Sequence, residues 1–180
     1  HAPGRHEPAA ALAAVHHLNL AHGRAVQALR ATSSGTPEYS VTLNFHVLRS
    51  AGDAVAAPAS DDSAEAIRRI DALANRAFTG PMLRGAYPAD LLEDTASVTD
   101  WSFVHDGDLT AIHQPIDVLG VNYYSTATVR LWDGVSPQQT NDGHKGAAGG
   151  TAWPGSDQLV EFVEQAGPHT AMGWNIAPDG

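Results

Sequence analysis

The first apolar pattern along the chain predicts a long helix over residues 7–32. Pro8 suits the first helical turn, and the Glu7 carboxylate favours the positive end of the helix dipole. At helical spacing, the residues on one face are Leu12, Val15, Asn19, His22, Val26 and Leu29. We interpret Asn19 and His22 as buried polar groups that bond to nearby backbone or side chains.

A second helix is predicted over residues 63–80, where apolar residues again recur at helical spacing. Ser63 is a suitable cap for its N-terminus, and Gly80 with Pro81 should end it. Its apolar stripe comprises Ile67, Ile70, Leu73, Ala74 and Ala77. A third, shorter helix is predicted within residues 87–96.

Two β-branched runs predict strands, and both become polar where they end. The first lies within residues 39–50, with the strand itself at Val41–Asn44, and the run turns polar at Asn44 and His46. The second covers about residues 117–123, where an apolar run leads into Asn-Tyr-Tyr at 122–124. The order helix, strand, helix, strand indicates an α/β architecture. We expect the two strands to be parallel neighbours joined by the helix at 63–80.

A long loop is predicted over residues 125–167, which are rich in Gly, Asn, Asp and Pro. The segments 126–132 and 158–164 are candidates for short strands within it. No internal repeat and no domain linker is visible, so we interpret residues 1–180 as part of one domain. Because a parallel sheet of two strands lacks the neighbours it needs, the visible elements resemble a wedge of a larger sheet.

The composition narrows the range of functions. Hydrophobic residues make up 43% of the chain and charged residues 17%, which is typical of a globular protein. The net charge of -10 and the lack of a basic run disfavour binding to nucleic acid or to a membrane. The absence of cysteine excludes disulfides and thiolate metal sites. No signal peptide is visible and we expect a cytoplasmic protein, although both ends of the sequence look cut.

The sequence offers no motif for a metal or a cofactor. There are ten histidines, but neither HExxH nor any Cys/His ligand spacing is present. No P-loop, GxGxxG or GxSxG occurs, and we expect no cofactor. The glutamates all lie where a solvated carboxylate is the default, and they are Glu7, Glu38, Glu65, Glu93, Glu161 and Glu164.

The polar strand ends are the candidate site. In barrels of alternating strands and helices, the carboxyl ends of the strands build the active site. The amides of Asn44 and Asn122 can exchange hydrogen bonds with sugar hydroxyls, and a tyrosine at such a strand end can hydrogen-bond a carboxylate and hold it in place. The alternative is that the asparagines cap the strand ends and the tyrosines fill the rim. No acid, base or nucleophile accompanies them in the sequence.

A set of stretches spread over nearly the whole chain carries a family resemblance. They are HAPGRHEPAAALAAVHHLNLAHGRAV, SVTLN, RRIDALANRAFTGPMLRGAYPADL, DGDL, PIDVLGVNYYS and TAMGW. By these stretches the chain resembles family 1 glycoside hydrolases, the retaining β-glucosidases, of an actinobacterial type. The resemblance implies a partial (β/α)8 TIM barrel, comprising about strands five and six with flanking helices and a long loop. It also implies a β-glucoside or a cello-oligosaccharide as substrate.

The resemblance also assigns roles to single residues. Tyr124 matches the tyrosine that hydrogen-bonds the catalytic nucleophile, and Asn122 matches the asparagine beside it in the glycone site. Asn44 matches a polar residue at the aglycone end. Trp174 matches the tryptophan that stacks on the aglycone sugar, and His1 matches a histidine near the aglycone site.

The two catalytic glutamates of that family lie in TxNEP and TENG-type motifs, and neither motif occurs in this sequence. The first should precede HAPG and the second should follow MGW, so we expect the chain to be an internal part of the enzyme. We therefore expect the 180-residue chain alone to be inactive. The alternative is a non-enzymatic remnant, or a pseudogene product, that binds carbohydrate weakly or not at all.

Overall fold

The computed structural model describes four ranges of the chain, 6–51, 61–140, 153–165 and 167–180. His1, residues 52–60 and part of the predicted long loop, at 141–152, lie outside the described residues. The helices are α1 (Pro8–Thr32), α2 (Asp61–Asp71), a π-helical turn (Ala72–Arg76, the π-turn), α3 (Ala77–Arg84), α4 (Ala89–Asp94) and α5 (Asp108–Ile112). The strands are β1 (Ser40–Asn44), β2 (Val47–Ser50), β3 (Val118–Asn122), β4 (Thr126–Leu131) and β5 (Val160–Val163).

Strands β1 and β3 form a parallel pair, as the alternation of helices and strands predicts. The register runs from Ser40 opposite Val118 to Asn44 opposite Asn122. Within this pair Gly120 lies opposite Thr42, and a side chain at Gly120 would collide with the Thr42 hydroxyl. The glycine therefore permits the close approach of the two strands, and the parallel register places both asparagines at the same end.

The first predicted strand, Val41–Asn44, is confirmed as β1, but the chain then bends after Asn44 and starts a second strand, β2, which was not predicted. β2 pairs in parallel with β4, which in turn pairs antiparallel with β5. Both short strands predicted inside the long loop are thereby confirmed. The bend lets one chain segment serve two sheets, one of two strands and one of three.

Helix α1 begins at Pro8, as predicted, but it buries a different stripe of residues. The buried residues are Leu12, His16, Asn19, Gly23 and Val26. Leu29, predicted to face inward, is 52% exposed. The stripe is set by Gly23, where a side chain would collide with the Ala111 carbonyl of α5. The helices therefore cross at this glycine, and the last turn of α1 extends beyond the contact.

The polar residues of α1 are partnered unequally. His16 is fully buried, and its Nδ1 and Nε2 lie 3.0 Å from the Tyr87 hydroxyl and 3.1 Å from the Asp108 carboxylate. Asn19 is also fully buried and hydrogen-bonded, as predicted. For His22 the prediction is wrong at Nε2, which bonds to none of the described residues. Burial lowers the pKa of the His22 ring.

The second helical region departs from prediction at both ends. α2 begins at Asp61, so Ser63 lies inside the helix, where it is 1% exposed, and is not its cap. The helix also continues through Pro81, where an end was predicted. Pro81 has no N–H to donate to the carbonyl of Ala77 four residues earlier. Nδ2 of Asn19 donates to that carbonyl instead, over 2.9 Å, so the helix passes the proline with no orphaned acceptor.

The helix changes partners at the π-turn, and the core accordingly divides into two clusters. One cluster lies between α2 and the three-stranded sheet and comprises Ala66, Ile70, Ala74, Ala127, Val129, Val160 and Phe162. The other joins α1, α3 and α4 and comprises Leu12, Ala72, Ala77, Tyr87, Leu91 and Trp101. The predicted short helix is confirmed as α4. Among the helices within the described ranges, none has both the length and the apolar character to cross a bilayer.

Candidate functional site

The carboxyl ends of β1 and β3 present two asparagine side chains that meet. Nδ2 of Asn122 donates to Oδ1 of Asn44 over 2.9 Å. Asn44 is exposed and Asn122 is half-buried. An amide has two N–H groups and one carbonyl, so after this bond Asn44 retains both donors and Asn122 retains its acceptor. The joined amides therefore present complementary groups to a polyhydroxylated ligand.

A bulge follows Asn122 and determines where the two tyrosines lie. Between the matched pairs Asn44–Asn122 and Val47–Thr126, one strand has two residues and the other has three, namely 123–125. An extra residue of this kind bends the strand and redirects its side chains. The Asn-Tyr-Tyr sequence therefore stands at an interruption between two ladders, where the first sheet passes into the second.

The two tyrosines point to different partners. The Tyr123 hydroxyl donates to the carbonyl of Ala177 over 2.5 Å, which fixes the C-terminal segment against the bulge. The ring of Tyr124 contacts the ring of Trp174 edge-on, with the centroids 5.5 Å apart and the planes at 66°. Tyr124 nevertheless remains 56% exposed. Tyr123 is thus a structural residue of the rim, and Tyr124 faces outward beside an indole.

Trp174 reaches Tyr124 because its segment is tied to β4. The side chain of the next residue, Asn175, is buried and donates to the Thr126 hydroxyl over 2.6 Å. The backbone turns through Thr170, whose N–H donates to the carbonyl of Trp174 over 2.7 Å. These bonds hold an aromatic face next to the polar strand ends, an arrangement suited to the C–H face of a sugar ring.

The structure thus places four of the five residues predicted for the site in two contacting pairs. Asn44 bonds to Asn122 and Tyr124 contacts Trp174, and only Tyr123 separates Asn122 from Tyr124 along the chain. The fifth, His1, lies outside the described residues.

One carboxylate departs from the prediction of a solvated group. Glu161 lies on β5, opposite Arg130 on β4, and is 4% exposed. Nε of Arg130 donates to it over 2.5 Å, and a second oxygen accepts from the backbone N–H of Gln139. Both oxygens are thereby engaged in holding the three-stranded sheet together. Within the four described ranges, no group of three or more His, Asp or Glu side chains is arranged to hold a metal ion.

Sequence reasoning missed a cleft of about 360 Å³ beside Asn44. His46, Asn75 and Phe78 are among the residues that line it. Asn75 belongs to the π-turn, and its amide bonds to the backbone of His46. Helical periodicity gave no signal for this residue, because the π-turn changes the face on which it lies.

Comparisons with known proteins agree on one family. The family model described as glycosyl hydrolase family 1 matches residues 1–180. A bifunctional β-D-glucosidase/β-D-fucosidase of Bifidobacterium breve is 48% identical over 180 residues, which are 99% of this chain and 35% of that protein.

Solved structures give the same result. The psychrophilic β-glucosidase of Micrococcus antarcticus superposes with a TM-score of 0.78 at 41% identity, covering 100% of this chain and 37% of that one. The β-glucosidase of Thermotoga maritima in complex with deoxynojirimycin superposes with a TM-score of 0.71 at 29% identity, covering 99% and 34%. The chain thus spans about a third of the length of these relatives. With a family model that matches it throughout, the chain belongs to glycosyl hydrolase family 1.

Proposed function

We propose that this chain forms about strands five and six, with flanking helices, of the (β/α)8 barrel of a retaining β-glucosidase. The observation that carries the proposal is the parallel pair β1–β3 with Asn44 and Asn122 bonded at its carboxyl end. In such barrels this end of the strands builds the active site. The substrates would be β-glucosides or cello-oligosaccharides.

The exposed polar groups then have distinct roles in binding sugar. Asn122 would bond to hydroxyls of the glycone, the sugar whose bond is cleaved. Asn44 would bond to the aglycone side with the N–H donors that its contact with Asn122 leaves over. Trp174 would stack on the aglycone sugar, a role supported by its position beside Tyr124 at the rim.

Tyr124 would act on a carboxylate that this sequence does not supply. Retaining hydrolysis uses two carboxyl groups roughly 5 Å apart, one as nucleophile and one as acid and base. The exposed phenol of Tyr124 would donate a hydrogen bond to the nucleophile and hold it in the orientation for attack. Neither of the two motifs that carry these carboxylates in the family occurs in residues 1–180.

The test compares two proteins with an aryl β-glucoside as chromogenic substrate. The product of the complete native gene is expected to hydrolyse it with retention of anomeric configuration. The isolated 180-residue chain is expected to show no turnover above a denatured control, because both catalytic carboxylates are missing. Turnover by the isolated chain would refute the role given to the missing motifs. An inactive gene product would favour the alternative of a non-enzymatic remnant.

A further inference from the structure

The side chain of Asn75 forms two hydrogen bonds with the backbone of a single residue, His46. Oδ1 of Asn75 accepts from the His46 N–H over 3.0 Å, and Nδ2 of Asn75 donates to the His46 carbonyl over 3.0 Å. The two residues are 29 positions apart, one on the π-turn and one in the bend between β1 and β2. The amide therefore pairs with His46 as a neighbouring strand residue would.

His46 needs such a partner because the ladder is interrupted beside it. In the parallel ladder, the last contact from β1 is the N–H of Phe45, which donates to the Asn122 carbonyl over 2.9 Å. Pairing resumes at Val47, opposite Thr126, after the three-residue bulge on the facing strand. A half-buried backbone N–H and carbonyl without partners would be costly. The Asn75 amide supplies both missing partners, an acceptor for the His46 N–H and a donor for the His46 carbonyl.

The orientation of the amide is fixed by its third bond. Nδ2 of Asn75 also donates to Oδ1 of Asp71 over 2.8 Å, and a carboxylate can only accept. The nitrogen therefore lies toward Asp71 and the carbonyl oxygen toward the His46 N–H. Asp71 is held in turn by Nε of Arg76 over 2.6 Å.

The π-turn makes this arrangement possible. In an α-helix, residues five apart are rotated by about 140° around the axis and do not meet. Across the wider π-turn, Asp71 bonds both to Asn75, four residues later, and to Arg76, five residues later. Such single π-helical turns occur often at functional sites. Here the π-turn directs the side-chain amide of Asn75 away from the helix and toward the bend at His46.

The bend that Asn75 holds determines where Asn44 lies. Asn44 is two residues before His46, and its side chain accepts the bond from Asn122. The side-chain ring of His46 packs edge-on against the ring of Trp153, with the ring centroids 5.9 Å apart. Only Phe45, whose N–H donates to the Asn122 carbonyl, separates His46 from Asn44, so a shift of the His46 backbone would move Asn44 relative to Asn122.

We propose that Asn75 is a positioning residue for the sugar site: it fixes the two-residue bend and thereby the Asn44–Asn122 pair. The catalytic part of this inference rests on the proposed function, in which Asn44 contacts the aglycone sugar. Asn75 acts through the bend and touches neither substrate nor reacting atoms.

The test uses Asn75→Ala in the product of the complete native gene, with cellobiose and an aryl β-glucoside as substrates. If the Asn44–Asn122 pair is no longer held in place, KM for cellobiose should rise about fivefold or more, because the aglycone of cellobiose is a sugar that Asn44 would bind. The kcat for the aryl glucoside should stay within about twofold. In parallel, hydrogen exchange of the His46 amide should accelerate at least about tenfold, because its acceptor is gone.

Thr79→Val is the matched control, since Thr79 lies one turn away and its hydroxyl donates to the main-chain carbonyl of Asn75, not to the Asn75 amide or to His46. It should leave the cellobiose-to-aryl ratio and the His46 exchange unchanged. Equal losses on both substrates in Asn75→Ala would show a purely structural role and overturn the inference, as would unchanged exchange at His46. If the unmodified gene product hydrolyses neither substrate, the proposed function fails, and the exchange measurement alone decides whether Asn75 fixes the bend.

Discussion

Asn44 and Asn122 are 78 residues apart in the chain, and their side-chain amides lie 2.9 Å apart, oxygen to nitrogen, at the ends of neighbouring parallel strands. Each strand position is the last in the matched register, so the contact marks the point where the first sheet ends. The bond orients each amide by the other. A change in one is therefore expected to disturb both.

Asn122→Asp should weaken catalysis by the complete gene product strongly. The aspartate has the same shape but no N–H, so the bond to Oδ1 of Asn44 is lost unless the Asn44 amide turns over, which would commit one of its N–H donors to the new carboxylate. We expect kcat/KM for an aryl β-glucoside to fall about 10- to 100-fold, or roughly 1.4–2.7 kcal/mol of transition-state stabilisation. Val135→Ser, at a residue that is 89% exposed, is the control. Activity within twofold of the unmodified protein would count against the role of the pair.

The contact between Asn19 and the helix that contains Pro81 can be tested by a double-mutant cycle in the same protein. Asn19→Ala should lower the free energy of unfolding by about 2 kcal/mol, because the Ala77 carbonyl is left without a donor. In a Pro81→Ala background, the new N–H can donate to that carbonyl, so the same Asn19 substitution should cost about 1 kcal/mol less. Urea unfolding measures the four stabilities. Equal costs in both backgrounds would contradict the explanation.

The carboxylate of Glu65 predicts a dependence of stability on acid. The carboxylate of Glu65 accepts hydrogen bonds from Arg68 and, to a lesser extent in its effect, from Arg69, and these bonds lower the pKa of Glu65 to about 2. Burial acts in the opposite direction and raises this pKa, but it is the weaker effect. A lowered pKa in the folded state stabilises the fold above the ordinary pKa of about 4.5, and this contribution is lost as the pH falls toward about 2. Because the side chain is 36% exposed, we expect at most about 1 kcal/mol.

The measurement for Glu65 is the difference in unfolding free energy between Glu65→Gln and the unmodified gene product. That difference should be largest near pH 7 and should shrink between about pH 4.5 and pH 2. Glu38→Gln, in the exposed segment before β1, is the control. A difference that stays constant over this pH interval would rule out the ion pairs of Glu65 as its cause.

The isolated 180-residue chain is expected to be poorly stable. Among the described residues, β1 and β3 pair only with each other, and on β3 Val118 and Val121 are 47% and 61% exposed. A few hundred Å² of apolar surface left in water forfeits several kcal/mol at roughly 25 cal/mol per Å², against a usual margin of about 5–15 kcal/mol. Circular dichroism should show a broad thermal transition. A sharp cooperative transition of a monomer with a native-like near-UV signal would contradict this expectation.

Local patterns in the sequence were sufficient to predict the elements that have a simple period. The apolar spacing of α1, with Pro8 at its start, and the β-branched runs of β1 and β3 predicted those elements and their parallel order. They also predicted that Asn44 and Asn122 would end neighbouring strands, because parallel strands finish at one edge. The motifs that surround these residues further identified the family, which the comparisons confirm.

Tertiary contacts decided the features that break those periods. The helix continues past Pro81 because Asn19, 58 residues before Ala77, supplies the missing donor. Asn75 bonds to the bend at His46 across 29 residues, and this bend separates β1 from the unpredicted strand β2. Such partners are distant in the sequence and follow no spacing rule. Pro81 marks in the sequence where a carbonyl loses its regular hydrogen bond, whereas the gap at His46 has no such signal, and in both cases only the folded chain determines which side chain supplies the missing partner.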